Sequence, residues 1–433
     1  MRVAYITAGA AGMYCGSCIR DNALVKELQR RGLDISLIPT YTPLRTDDEN
    51  VSMGRVFFGG INVYLQEKMS LFRHTPWLLD KVLDTPALLN WVSRFSASTS
   101  AEDLGGLTVS MLEGDQGPLH KELSKLTRWL AREFKPDLVQ LTNSMLAGMG
   151  PAIKKEVGVP VLCALQGEEI FLDALIEPYK SRAHRLLCSR AAEIDGFIAT
   201  CSFYKSFMVD YLQVAPQKID VVPLGLNLDG LVPGTKKPGA GKPFLLGFFA
   251  RQCPEKGLHL LIDAFLRLAA DHPDLELRIA GYLGGRDTAY VNELKEKVER
   301  AGHGARCQWA GELTREQKID FLQRLDLFSV PAPYKEPKGL SILEAMSCGV
   351  PVVQPRHGAY TEMVEQTGGG SLVVPDDARA LAEQIAHYLD RRDMCAEQGE
   401  KGAAAVPELY SVARMGEKTL EVYQRFVTTA TTS

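Results

Sequence analysis

Residues 336–349 read EPKGLSILEAMSCG, and two carboxylates, Glu336 and Glu344, bracket seven residues within them. The pattern predicts a short helix over 339–347, stopped by Gly349 where helices commonly end. Upstream, 325–332 (LDLFSVPA) predicts a buried strand, and downstream, 350–354 (VPVVQ) predicts another. A strand, a glycine-containing turn and a helix N-terminus make an anion site, because free backbone N–H groups and the helix dipole face the ligand. An acid beside such a site repels phosphate, so Glu336 and Glu344 suit hydrogen bonds from sugar or ribose hydroxyls. Spacing alone leaves equal room for a helix carrying two solvated acids.

The same strand–turn–helix unit stands upstream. Residues 244–250 (FLLGFFA) predict a strand, then come Arg251, Lys256 and Gly257, then a helix over 258–270. Two cations five residues apart at a strand end suit a diphosphate. Strands are also expected at 275–282 and 371–375, and helices at 315–324, 378–390, 394–405 and 412–426. Such alternation predicts a parallel sheet covered by helices. His357 and Gly358 form a turn before a further helix, and a lone loop histidine there carries no assignment.

The N-terminal half repeats the alternation. A strand at 3–8 (VAYITA) leads into a glycine-rich loop at 9–16, a helix over 19–31 and a strand at 34–39, the opening of a Rossmann-like unit. The loop lacks G-x-G-x-x-G, which argues against NAD. Further strands are expected at 136–142, 159–165, 195–200 and 219–223. Helices are expected at 119–134, 145–157, 182–192 and up to Leu212, the last capped by Ser202. Gln166, Glu168 and Glu169 follow the 159–165 strand at its carboxyl end, where open α/β sheets bind ligands. Residues 40–119 break the pattern, with a hairpin expected at 55–65 and helices within 75–95. Residues 232–242 (VPGTKKPGAGK) read as a linker.

These stretches resemble the retaining nucleotide-sugar glycosyltransferases of family 4, over most of the chain and most strongly over 221–389. The resemblance implies an α/β chain with two Rossmann-like domains facing a cleft, the GT-B fold. Its implied domains are an acceptor-side unit at 1–225 with the 40–119 insertion, a nucleotide-sugar-binding unit at 226–410, and a helix at 411–433 crossing back to pack against residues before 150. It implies that Arg251 and Lys256 bind the donor diphosphate, that Glu336 contacts the donor sugar and that Glu344 contacts the ribose. Gly339, Leu340, Ser341, Gly358 and Gly16 join the donor site by the same resemblance, Gly16 through its backbone. Two departures stand out. Pro337 and Lys338 precede Gly339, where the family has small or aromatic residues. Gln166 occupies the position of a sugar-contacting histidine; Gln hydrogen-bonds a hydroxyl but shuttles no proton near neutral pH.

The implied reaction moves a hexose from a nucleoside diphosphate sugar to a glycan, lipid or small-molecule acceptor. A nucleotide-sugar epimerase of the same fold and a catalytically silent sugar-nucleotide-binding subunit are the rivals. The 40–119 insertion, where acceptor specificity would reside, disfavours the first. The retained Arg251, Lys256, Glu336 and Glu344 disfavour the second.

Composition bounds the rest. The 433 residues suffice for two cores, and 45% hydrophobic with 24% charged content is ordinary for a globular protein. A net charge of −4 argues against nucleic acid as a partner. Nine scattered cysteines and an N-terminus that starts directly on a strand suggest the cytoplasm. Peripheral membrane attachment stays open if the acceptor is a lipid. No metal-ligand cluster is evident, so neither a metal nor a cofactor is expected. Cys15 and Cys18 form one CxxC, which cannot complete a tetrahedral zinc site alone; small residues filling a tight loop account for it, with a redox pair as the rival.

Overall fold

A computed structural model of the chain describes residues 1–9, 16–42, 44, 46, 49–54, 101–235 and 243–432. The expected hairpin at 55–65, the helices within 75–95, Cys15 and most of the glycine-rich loop lie outside the described residues. The chain divides into two compact units, one of Met1–Pro223 with Met415–Ser433, the other of Leu224–Arg414.

The first unit holds a parallel sheet of β1 (Arg2–Thr7), β2 (Asp34–Pro39), β3 (Leu138–Leu141), β4 (Val161–Ala164), β5 (Gly196–Ala199) and β6 (Ile219–Val221). Their order is β2-β1-β3-β4-β5-β6. Strands buried on both faces are continuous apolar runs, and Val3–Ile6 and Val161–Ala164 are fully buried. The strand order reverses between β1 and β3, so a crevice forms beyond their carboxyl ends. The Val412–Thr432 helix serves this unit: a Cβ on Gly416 would lie 2.8 Å from Glu27, and one on Gly196 would lie 2.4 Å from the Phe426 ring.

The second unit repeats the plan with β7 (Phe244–Phe249), β8 (Leu275–Ala280), β9 (Cys307–Gly311), β10 (Leu327–Phe328), β11 (Val352–Pro355) and β12 (Gly370–Val373). All pair in parallel, in the order β12-β11-β10-β7-β8-β9. Here the reversal falls between β7 and β10. Of the expected linker 232–242 the structure describes 232–235, and there the Gly234 N–H reaches the Cys348 carbonyl at 3.4 Å within the second unit; nearby, Leu226 bridges to Ser411.

Local corrections have local causes. The strand expected over 325–332 shortens to Leu327–Phe328, because Pro331 has no N–H to extend the ladder. Cys201, not Ser202, caps the Ser202–Leu212 helix, its sulfur accepting the Tyr204 N–H at 3.4 Å. Among the described residues no helix is long and apolar enough to cross a membrane.

Candidate donor-binding site

The second unit's site grows from the carboxyl ends of β7 and β10. After β7 the chain passes through Arg251 into a tight turn, Pro254–Lys256, closed by Gly257 at φ +73°. A Cβ on Gly257 would lie 1.9 Å from the Pro331 carbonyl oxygen, so only glycine lets this turn touch the segment leaving β10. That contact brings Lys256 to Glu336.

Lys256 Nζ bonds the Glu336 Oε2 carboxylate oxygen and lies 2.5 Å from the Tyr334 hydroxyl. Tyr334 donates to the same Oε2, and the Lys338 N–H donates to Glu336 Oε1 at 3.2 Å. Glu336 is 4% exposed. Burial alone would raise its pKa; the Lys256 charge and hydrogen bond, the Tyr334 hydroxyl and the Lys338 charge outweigh it and hold the carboxyl at about 2. Burial and the Glu336 charge push the Tyr334 phenol well above its ordinary value, so it stays a donor.

Gly339 caps the Leu340–Ser347 helix, and the N–H groups of Leu340 and Ser341 open its first turn. Groups at these positions have no partner inside the helix. Glu344, on the next turn, is buried and pairs with buried Lys318 at 2.7 Å through Oε1. Gly358 backs onto Glu336, the Ala359 N–H donating to the Glu336 carbonyl at 2.8 Å. His357 precedes it, and burial lowers its pKa.

Arg251 stands at the rim, its side chain 45% exposed. Its Nε donates to the buried Cys253 sulfur at 3.1 Å, and Glu255 lies 3.7 Å away. Glu255 also meets Arg286 at 3.5 Å, so one carboxylate steadies two guanidiniums.

In the first unit Gly16 begins the Gly16–Arg30 helix, which carries the buried pair Arg20–Asp21, 3.0 Å apart. Asp21 Oδ1 accepts from Tyr5 at 2.7 Å and from the Gln166 amide at 3.0 Å, while Oδ2 accepts from Thr142. The Gln166 amide nitrogen also reaches the Thr142 carbonyl at 2.8 Å. Its Oε1 is buried without a hydrogen-bond partner. Burial raises the Asp21 pKa, against lowering by Arg20 and the hydrogen bonds. Glu168 is buried and accepts the Ser144 N–H at 2.9 Å and the Gln166 N–H at 2.7 Å, which fixes the loop. Glu169 is tied to Tyr204.

The second unit thus gathers Arg251, Lys256, Glu336, Gly339, Leu340, Ser341, Glu344 and Gly358 at one end of its sheet. Gly16 and Gln166 belong to the first unit, at the ends of β1 and β4. Sequence reasoning missed Lys318, Tyr334 and Asp21. Tyr334 is two residues before Glu336 and could have been suspected from proximity. Lys318 lies 26 residues from its partner and carries no local signal.

Comparison with known proteins agrees with this architecture. Residues 235–405 match the family model described as Glycosyl transferases group 1, and residues 106–229 match Glycosyltransferase Family 4. The lipopolysaccharide core biosynthesis mannosyltransferase LpsB of Rhizobium meliloti is 34% identical over 183 residues, which cover 41% of this chain and 51% of that protein. D-inositol 3-phosphate glycosyltransferase of Mycolicibacterium smegmatis is 29% identical over 280 residues, 63% of this chain and 59% of that one. The matched region therefore spans about half to three fifths of these relatives' length. Anabaena HepE, solved with UDP, superposes with a TM-score of 0.70 at 17% identity, covering 98% of this chain and all of the other (100%). Sucrose-phosphate synthase from Thermosynechococcus elongatus gives 0.71 at 17%, covering 98% and 99%. At that identity the likeness is one of fold. The chain is a two-domain α/β protein of the GT-B fold. It belongs to the glycosyltransferases of the family 4 type.

Proposed function

We propose that the protein transfers a hexose from a nucleoside diphosphate sugar to an acceptor, with retention at the anomeric carbon. One observation carries the reading. At the switch point of the second sheet, two cations, Arg251 and Lys256, the open amides of Leu340 and Ser341 and a buried ionised carboxylate, Glu336, stand together. Cations and amides suit the diphosphate; the carboxylate suits the sugar. The HepE structures with UDP and with UDP-glucose support a nucleotide-sugar donor.

In this reading Arg251 and Lys256 neutralise the charge growing on the departing diphosphate. Glu336 lies against the sugar as positive charge builds there. Glu344 accepts from the ribose. The acceptor oxygen attacks the face the diphosphate leaves, its proton passing to a leaving phosphate oxygen, so no enzyme nucleophile is needed. The two cations take the role of a metal, and no cofactor has a step.

The test is incubation with UDP-, GDP- and ADP-hexoses in the presence of EDTA, following diphosphate release and the anomeric proton of the product by NMR. Slow release with one donor and an α product from an α donor is expected. No release from any donor points to a silent binding subunit, a β product contradicts retention, and a converted nucleotide sugar with its diphosphate still attached points to an epimerase.

A further inference from the structure

Lys318 belongs to no motif, yet it is 6% exposed and faces Glu344. Burying two charges costs desolvation of both, and an apolar pair of similar size commonly packs at least as stably. Stability alone therefore gives little reason for a lysine here. Its placement gives another. The Arg315–Gln323 helix that carries it is fixed at its start by a capping box on Thr314. The ammonium lies 5.9 Å from the ring centre of Phe249, the last residue of β7 and two before Arg251. Lys318 thus reaches the carboxyl end of the sheet, where the cations and open amides gather. Of the two Glu344 oxygens it bonds Oε1; among the described residues Oε2 takes no hydrogen bond, and the Glu344 side chain keeps 11% exposure.

We propose that Lys318 is a positioning residue of the donor site, holding Glu344 by one oxygen so that the other reads the ribose and selects a ribonucleotide over its 2′-deoxy form. This rests on the reading of Glu344 as the ribose contact. Lys318 acts twice. Its bond to Oε1 joins two charged groups, and charge-assisted hydrogen bonds are the strong ones. Its hydrogen bond stops the carboxylate from turning, so Oε2 is presented without the entropy loss of ordering it on binding. Without Lys318 nothing on that side keeps the Glu344 carboxylate from turning, and its second oxygen is no longer presented in one place.

Calorimetry of the full chain with UDP, GDP and ADP first identifies the diphosphate that binds. Its 2′-deoxy counterpart is then titrated into wild type, Lys318→Met and Lys318→Arg. Wild type is expected to prefer the ribo form by about tenfold, the worth of one hydrogen bond to a charged group. Lys318→Met should bring the ratio close to one, and Lys318→Arg should restore most of it. A merely structural lysine would lower the melting temperature and leave the ratio alone, which overturns the proposal. Lys318→Gln keeps a donor without the charge and serves where the methionine variant does not fold; an unchanged ratio there overturns the proposal too. Failure of all three diphosphates to bind wild type sinks the donor-site reading itself, whereas binding without a ribo preference sinks the ribose assignment.

Discussion

Gly358 is seated against the backbone of Glu336. A Cβ at position 358 would lie 2.5 Å from the Glu336 carbonyl oxygen and 2.8 Å from its nitrogen, and Gly358 has φ +60°. The turn after β11 therefore supports the carboxylate that follows β10. Gly358→Ala is expected to destabilise the protein by about 1–3 kcal/mol, since both conformation and space exclude a side chain. Transfer should fall with it as Glu336 shifts. Calorimetric melting and steady-state kinetics check this, and an unshifted midpoint with full turnover contradicts the contact.

The ion pair makes stability depend on acid. Glu336 titrates at about 2 when folded, against 4.5 ordinarily, so its contribution is complete above pH 4.5 and is lost as pH falls toward 2. The difference corresponds to about 3 kcal/mol at neutral pH. Denaturant midpoints of wild type should fall through that window more steeply than those of Glu336→Gln. Parallel curves would show that Lys256 and Tyr334 do not hold the carboxylate ionised.

Arg251→Ala and Lys256→Ala should each lower kcat on the order of 10²–10³, as loss of a donor aimed at developing charge does. They should differ in stability. Arg251 is half exposed and its removal should barely move the melting temperature, whereas Lys256→Ala leaves buried Glu336 without its cation. Near-normal turnover in both variants would remove the diphosphate clamp.

The paired carboxylates should separate in kinetics. Glu344→Gln weakens an interaction equal in ground and transition states, so it should raise donor KM and weaken inhibition by free diphosphate. Glu336→Gln should depress kcat and leave diphosphate affinity almost unchanged, because charge develops at the sugar only as the bond breaks. Both variants run side by side, with diphosphate affinity by calorimetry, decide it. Indistinguishable variants would leave the resemblance as one of fold alone.

Much of the architecture was legible because parallel strands buried on both faces are unbroken apolar runs. Eleven of the twelve strands overlap a run visible in the sequence; β9, CQWAG, has no fully buried residue and shows no such run. Boundaries were less legible: Pro331 truncates β10, while Pro407 sits inside the Asp393–Tyr410 helix, which continues past the expected end at 405. Arg251, Lys256 and Glu336 could be marked by type and spacing. Lys318 could not, since its meaning comes from a partner on another helix. Nor could the use of Gln166, whose amide is directed by Asp21 far away in the chain.

The interrupted first unit has a consequence for how the protein is made. Leu224–Arg414 is contiguous and can fold as it leaves the ribosome. The first unit emerges earlier but lacks the Val412–Thr432 helix, whose fully buried Tyr423 lies close enough to the Arg20–Asp21 pair for each to affect its titration. At ~5–20 residues per second, roughly 10–40 s of translation separate residue 223 from that helix. During that interval the first unit lacks the helix that places Tyr423 beside Arg20 and Asp21. A chain stopped after Arg414 should therefore keep a protease-resistant second unit while its first unit is digested; equal resistance of both would show that the first unit forms without the returning helix.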